Sequence, residues 1–307
     1  MIDIIDFSSW KEYDGASEGS GRSEKIWLKS DDGQIGLFKF PKIDPVDGKE
    51  TTEHVSEHLA HKIGETIGVL TAKVDIGTYN GRIGSMSHFI CDKNEILQEG
   101  IWFLSAKFPK YNIQTMQDEE SGKYYCLEQL FAVSNIFPNR ILIEMMLFDF
   151  LIGNSDRHQS NWAILMEVQG KSITIRQCPL YDNGSSLCCY INSKELPKLL
   201  GKDKVRFEAL VDSKSKSRIR IDGSQKSLPS HRAVVEFLFE NYSVSRVIAK
   251  DFLAHFSGKT INALLSEYPD EILSNEKKTL INKFLTKKIE ILEELLKKEE
   301  EKNDSKG

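Results

Sequence analysis

The sequence predicts an α+β, two-lobed architecture: a small β-rich lobe over residues 1–92 and a larger, mostly helical lobe over 93–307. Three observations predict it. Apolar–polar alternation on either side of Asn80-Gly81 reads as a hairpin, because that dipeptide accepts the left-handed backbone a two-residue turn needs. Beyond residue 92 the pattern turns helical, and Arg140–Ile152 is apolar nearly all round, as helices buried inside a large lobe are. A length of 307 residues suffices for two well-formed cores.

Composition narrows the classes. The chain is 40% apolar, 28% charged and 9% aromatic, ordinary for a globular protein. A net charge of −5 argues against nucleic-acid binding by bulk charge. No run approaches the roughly 18 apolar residues of a membrane span, so no membrane association is expected. Met1-Ile2-Asp3-Ile4-Ile5-Asp6 lacks a basic stretch before an apolar core, so no secretory signal is expected. The five cysteines (Cys91, Cys126, Cys178, Cys188, Cys189) are odd in number and form no C-x-x-C pair. Neither a zinc ribbon nor a disulfide framework follows, and a reducing cytoplasm is the simplest setting.

Residues 11–23 are small and polar, with glycines at 15, 19 and 21. Such a loop can lay backbone N–H groups on phosphates, although Gly/Ser clusters are more often plain turns. Strands are predicted at Lys25–Lys29 and Gly36–Phe40, joined by a turn at Ser30-Asp31-Asp32-Gly33. Lys39 sits on the second strand between apolar neighbours, either facing solvent or held against nucleotide phosphates; the latter requires an acidic partner from a nearby helix. That helix is predicted from about Thr51 to Ile67, where Val55, Leu59, Ile63 and Ile67 form an apolar stripe. Glu53 and Glu57 lie one turn apart and share a face. His54, His58 and His61 also share a face, but without the H-E-x-x-H spacing of a zinc site they read as surface histidines.

Strands follow at Ala72–Tyr79 and Ile83–Cys91, then helical patterns over 95–153. The helix ending at Ile152 runs into the polar loop Gly153-Asn154-Ser155-Asp156-Arg157-His158-Gln159-Ser160-Asn161, and the loop into an apolar strand. An Asp followed five residues later by an Asn is how phosphotransferases place a base and a metal ligand. Trp162–Val168 and Ser172–Gln177 read as a hairpin ending near Asp182, which is either a turn aspartate or a second metal ligand. Residues 202–226 carry Lys202, Lys204, Arg206, Lys214, Lys216, Arg218, Arg220 and Lys226 against four acids. This stretch is either a patch for an acidic or phosphate-rich partner or a solvated loop. From 231 onward the pattern is helical, closing after Asn275 in a Lys/Glu-rich helix expected to be solvated and frayed.

Each feature is unremarkable alone, but together they occur in order: glycine-rich loop, strand lysine, helix glutamate, Asp…Asn loop, strand-end aspartate. The 153–161 loop resembles the catalytic loop of the HipA-like serine/threonine kinases. Ser20-Gly21-Arg22-Ser23-Glu24-Lys25 resembles the end of that family's nucleotide loop, and Leu37-Phe38-Lys39-Phe40-Pro41 its lysine strand. Glu53, followed by Leu59-Ala60 and Gly64, matches its helix, and Pro179-Leu180-Tyr181-Asp182 its second metal aspartate. The resemblance covers about residues 16 to 260 and implies a kinase-like bilobal fold, related at a distance to the phosphoinositide kinases.

The resemblance also implies roles. Asp156 would be the base or orient the acceptor, Asn161 and Asp182 would hold Mg²⁺, and Lys39 would contact the α/β-phosphates of ATP with Glu53 as its partner. His158 would structure the loop or sit near phosphate. Gly19, Ser20 and Gly21 would line the nucleotide, and Ser87, His88 and Phe89 would form the adenine hinge. Family members autophosphorylate serines of the nucleotide loop, for which Ser17, Ser20 and Ser23 are candidates; a phosphate of about −2 there would repel ATP. Longer members carry a β-rich subdomain ahead of the nucleotide loop, and here only a short stretch precedes it. The implied partners are a protein substrate such as an aminoacyl-tRNA synthetase or other translation factor, and an antitoxin or a separate protein supplying the missing subdomain. Both a bacterial cytoplasmic toxin and an exported effector kinase fit. A lipid or small-molecule kinase and a catalytically silent binding module are the alternatives.

Overall fold

Alternation and turn chemistry build the first sheet. The structure is a computed structural model that describes residues 1–14, 24–92, 94–134, 137–170 and 172–304. Strands β1 (Ile5–Asp6), β2 (Lys11–Glu12), β3 (Lys25–Lys29) and β4 (Ile35–Lys39) precede helix α1 (Glu53–Ile67), which is followed by β5 (Val74–Tyr79) and β6 (Arg82–His88). They form a six-stranded sheet in the order β1-β5-β6-β4-β3-β2. The β5–β6 hairpin turns at Asn80 and Gly81, with φ of 50° and 78°, as the dipeptide predicts. Facing residues share a side of a sheet. Phe38 therefore lies with Ile26 and Met86 over a small core that includes Phe7 and Leu28. Lys39 lies with Lys25 and Ser85 on the opposite side, the side on which Ile76 meets α1.

The second part contains β7 (Glu95–Glu99), α2 (Gly100–Lys107), β8 (Tyr111–Asn112), β9 (Gln117–Asp118), α3 (Leu127–Val133), α4 (Asn139–Ile152), β10 (Ala163–Gln169) and β11 (Ser172–Gln177). Helices α5 (Leu196–Leu200), α6 (Lys204–Val211), α7 (His231–Asn241), α8 (Ser243–His255), α9 (Gly258–Ser266) and α10 (Asn275–Asp304) complete it. The fold is α+β. Helix α4 is buried from Leu142 to Ile152 apart from Glu144, and contacts α7, α8 and α10. The β10–β11 hairpin follows its predicted strands closely, and β10 also pairs with β7. Among the described residues no helix is long and apolar enough to cross a membrane.

Three expectations are corrected by packing. Residues 95–99 form a strand rather than a helix, because β10 offers them a ladder partner that local pattern cannot reveal. The histidines of α1 are not on the surface: His54 and His58 are buried and His61 is half-buried, because α1 is covered by the sheet on one side and by α8 and α9 on another. His58 Nδ1 lies 2.7 Å from the Tyr268 hydroxyl and His61 Nδ1 3.1 Å from Thr71 Oγ1. Burial lowers both His54 and His58 to about 4, so they are neutral near pH 7. Helix α10 does not fray in solvent. It buries Leu280, Ile281, Phe284, Leu285, Ile291, Leu292 and Leu295 in the main core, together with the side chain of Lys288, and turns most of its other charges outward.

Candidate active site

Helix α4 ends at Gly153, whose φ of 68° is left-handed and whose N–H caps Asp149 O. A Cβ at this position would stand 2.6 Å from the Phe284 ring, so glycine is required by both conformation and space. The chain then enters the 154–161 loop. Buried Asn154 donates Nδ2 to Asp149 Oδ1 at 3.1 Å and accepts the Asp156 N–H on its own Oδ1 at 3.1 Å. Asn161 Nδ2 donates to Asp156 O at 2.8 Å, so the side chain five residues on closes the loop against its start. The His158 ring accepts the Ser160 N–H on Nδ1 at 3.2 Å. These bonds leave the Asp156 carboxylate 40% exposed in a cleft of about 390 Å³.

Beneath the loop lies Arg157, 1% exposed. Its guanidinium pairs with Asp149 at 2.8 Å and donates to Asn161 O at 2.6 Å, Tyr181 O at 2.8 Å and Asn183 Oδ1 at 2.6 Å. A single side chain therefore fixes Asn161 and the residues on both sides of Asp182. Asp182 has a φ of 56°, a conformation that aspartate tolerates better than most residues. Its Oδ1 accepts from Lys39 Nζ at 2.7 Å, and Glu57 Oε2 lies 3.8 Å from the same ammonium. Glu57, 3% exposed, also accepts the Asn183 N–H at 2.9 Å, which ties α1 to the turn after Asp182.

The electrostatics follow from this crowding. Burial alone would raise the Asp182 carboxyl, but the Lys39 ammonium and its hydrogen bond, with Arg157 behind, hold it down at about 2. Burial raises Glu57, against the pull of Lys39. Burial opposes the charge of Lys39, yet Asp182 and Glu57 outweigh it and push the lysine up. The site is thus a cation held between two carboxylates, one exposed to the cleft and one not.

No protein-family profile matches the chain. The serine/threonine-protein kinase CtkA of Helicobacter pylori (strain J99) is 29% identical over 194 residues, 60% of this chain and 56% of CtkA. The crystal structure of a Helicobacter pylori proinflammatory kinase CtkA matches with a TM-score of 0.77 at 19% identity, over 96% of this chain and 99% of that one. HipA, from the Shewanella oneidensis MR-1 toxin–antitoxin complex with HipB and operator DNA, gives 0.54 at 12% identity, over 92% and 66%. The chain has the fold of the CtkA and HipA kinases. Its sequence match spans little more than half the length of CtkA.

Within this HipA/CtkA-like fold, Lys39, Asp156, His158 and Asp182 line one cleft, and Asn161 closes the loop beside it. Glu53 is corrected. It pairs with Lys42 at 2.8 Å and accepts from the Tyr190 hydroxyl at 2.7 Å, and Glu57 takes the place by Lys39. The two glutamates share a face, but Glu53 is the first residue of α1 and lies at the rim by Lys42, whereas Glu57, one turn further along, is buried beside Lys39. Of the hinge candidates, Ser87 lies opposite Leu37 on the Lys39 side of the sheet. Phe89 is 48% exposed with its ring edge-on to Trp27. The His88 side chain points to the other face, where Nε2 meets Asp75 Oδ2 at 2.6 Å, so it adds nothing to the cleft. Gly19, Ser20 and Gly21, with Ser17 and Ser23, lie outside the described residues.

Sequence reasoning weighed Glu57 but preferred Glu53, named Arg218 only as one of a basic stretch, and missed Ser85 and Arg157. Arg157 was readable as a charged residue between two candidate site residues, but only its burial shows what it does. The 202–226 stretch is not simply a solvated loop: Arg218 reaches back to Asp156 at 3.3 Å, and buried Arg220 stacks over Tyr124 and donates to Lys226 O at 2.9 Å.

The donor set fits Mg²⁺. Asp182 offers carboxylate oxygens, and Asn161, whose Nδ2 is engaged by Asp156 O, offers its amide oxygen. Both are hard donors, and Mg²⁺ takes one or two protein oxygens with phosphate and water. Among the described residues no group of three or more His, Cys, Asp or Glu is placed to hold a metal ion.

Proposed function

We propose that the chain is an ATP- and Mg²⁺-dependent serine/threonine protein kinase. The observation that carries this reading is Arg157, which holds Asn161 and both neighbours of Asp182, while Asn161 Nδ2 holds Asp156 O and Asp182 pairs with Lys39. Serine or threonine is chosen as acceptor because CtkA is a serine/threonine-protein kinase. When bound, ATP and Mg²⁺ would supply the phosphoryl group and the neutralisation of its charge. The residues of the chain do the rest. Lys39, steadied by Glu57, would hold the non-transferred phosphates. Asn161 and Asp182 would hold the cation through their side-chain oxygens. Asp156 accepts the acceptor's hydroxyl hydrogen and orients its oxygen in line with the phosphorus.

The test is transfer from γ-labelled ATP by wild type and Asp156→Asn, with products separated into protein, lipid and small solutes. The isosteric amide cannot take the proton, so protein labelling is expected to fall by about 10²–10⁴-fold with circular dichroism unchanged. Labelling near the wild-type rate would overturn the assignment of the base. Label found in lipid or small solutes rather than protein would overturn the assignment of the acceptor.

A further inference from the structure

The Arg218–Asp156 contact has no structural purpose large enough to explain it. The two side chains are 38% and 40% exposed, and their closest approach is 3.3 Å. Such a pair contributes about 0–1 kcal/mol to stability. Yet the segment that carries Arg218 is firmly anchored. Ser217 N donates to Pro229 O at 3.1 Å, Arg220 N to Tyr125 O at 3.1 Å, and Ser215 Oγ is held by buried Lys288 at 3.0 Å and faces His231 Nδ1 at 3.0 Å. Ser215, Ser217 and Ile219 point inward, while Lys216 and Arg218 are half-exposed and Lys214 is exposed. Among the described residues neither Lys214 nor Lys216 has an acidic partner, and Arg218 Nε is buried without any hydrogen-bond partner. In a chain of net charge −5 this is a preorganised row of cations, and it ends on the candidate base.

We propose that Arg218 is a specificity-determining residue that reads a negative charge, carboxylate or phosphate, next to the acceptor hydroxyl. This rests on the kinase reading. In the free protein Arg218 Nη2 approaches Asp156 Oδ1 at 3.3 Å as an ion pair without a well-formed hydrogen bond. A flanking carboxylate or phosphate offers it a two-pronged partner, which a planar guanidinium prefers to a single long contact. The exchange does two things at once. It anchors the acceptor, with Lys216 two residues away on the same side of the alternating 215–219 stretch, and it frees the Asp156 carboxylate to take the hydroxyl hydrogen. Without these cations the carboxylates of Asp156, Asp182 and Glu57 would repel an acidic acceptor.

The experiment compares serine peptides flanked by alanine, by glutamate, by one phosphoserine and by lysine, using the full chain with ATP and Mg²⁺. Wild type is expected to favour the glutamate and phosphoserine peptides over the alanine peptide by on the order of tenfold in kcat/KM, the effect of one charge-assisted contact. Arg218→Gln should bring the four peptides within about twofold, Arg218→Lys should keep part of the preference, and Arg218→Glu should favour lysine; a merely structural role would produce no such reversal. A wild type without preference, or an Arg218→Gln that keeps it, overturns the inference and leaves the kinase reading standing. Wild type that transfers phosphate to no protein or peptide overturns both. If only the phosphoserine peptide gains, the charge read is a phosphate; if glutamate gains equally, a carboxylate suffices.

Discussion

Replacing Arg157 with methionine removes six hydrogen bonds from one buried point: three to Asp149 and one each to Asn161 O, Tyr181 O and Asn183 Oδ1. Asp149 is 3% exposed and would keep Asn154 Nδ2 as a side-chain partner but lose its counter-charge. Breaking a buried ion pair by deleting one member costs about 3–5 kcal/mol, because the remaining charge stays desolvated. At ~2–4 °C per kcal/mol for a large domain, this is a fall in Tm of about 6–20 °C. Urea unfolding followed by tryptophan fluorescence would measure it. The double variant Arg157→Met/Asp149→Leu separates charge from shape. An apolar pair avoids the stranded carboxylate and should recover stability to within about 2 kcal/mol of wild type, the remainder being the three acceptors (Asn161 O, Tyr181 O and Asn183 Oδ1) left without a donor. Phosphoryl transfer should not recover, staying about 10²-fold down, since nothing then holds Asn161 and Asp182 in place. A single variant costing less than about 1 kcal/mol, or a double variant no more stable than the single, would refute the reasoning.

Two further predictions concern residues that only packing identifies. Glu57→Gln should reduce transfer by about 10²-fold, because it weakens the hold on both Lys39 and the turn after Asp182, whereas Glu53→Gln, removed to Lys42 and Tyr190, should change it by less than about threefold. Equal losses in paired kinetic measurements would count against the helix register. Lys288 is fully buried, with its Nζ 4.5 Å from the Phe150 ring centre and 3.0 Å from Ser215 Oγ; burial lowers it to about 7, against the pull of Asp212 and Cys188. The unfolded chain keeps that proton up to lysine's ordinary 10.5, so between about 7 and 10.5 the unfolded state binds more protons and stability rises with pH. Relative to Lys288→Met, wild type should gain up to ~1.4 kcal/mol per pH unit from about pH 7 to pH 9, and show no such slope below about 7. Parallel stability curves for the two proteins would show that the lysine does not lose its proton on folding.

What could be read from the sequence was short-range. The Asn80-Gly81 hairpin, the stripe of α1 and the Asp156…Asn161 spacing each depend on neighbours within a few residues, and each has a local signature. So does the order of the site elements along the chain, from which the fold class and the cleft-lining Lys39, Asp156 and Asp182 could be named. The misreadings share one cause, since each turned on a partner distant in sequence. Residues 95–99 became a strand because β10 pairs with them, and the histidines of α1 became buried because α8 and α9 cover them.

The 153–161 loop is the clearest division between the two. Its sequence alone determined that a carboxylate and an amide would stand five residues apart after a buried helix, because helix end, glycine cap and loop length are local properties. Only the tertiary structure decided what surrounds them. Of two glutamates one turn apart, docking of α1 turned Glu57 toward Lys39 and left Glu53 to Lys42. Of the basic residues of 202–226, anchoring of the 215–220 segment brought Arg218 onto Asp156. A charged side chain carries no local sign of whether it will be buried or paired, because that free energy depends on which opposite charge the folded chain brings within reach.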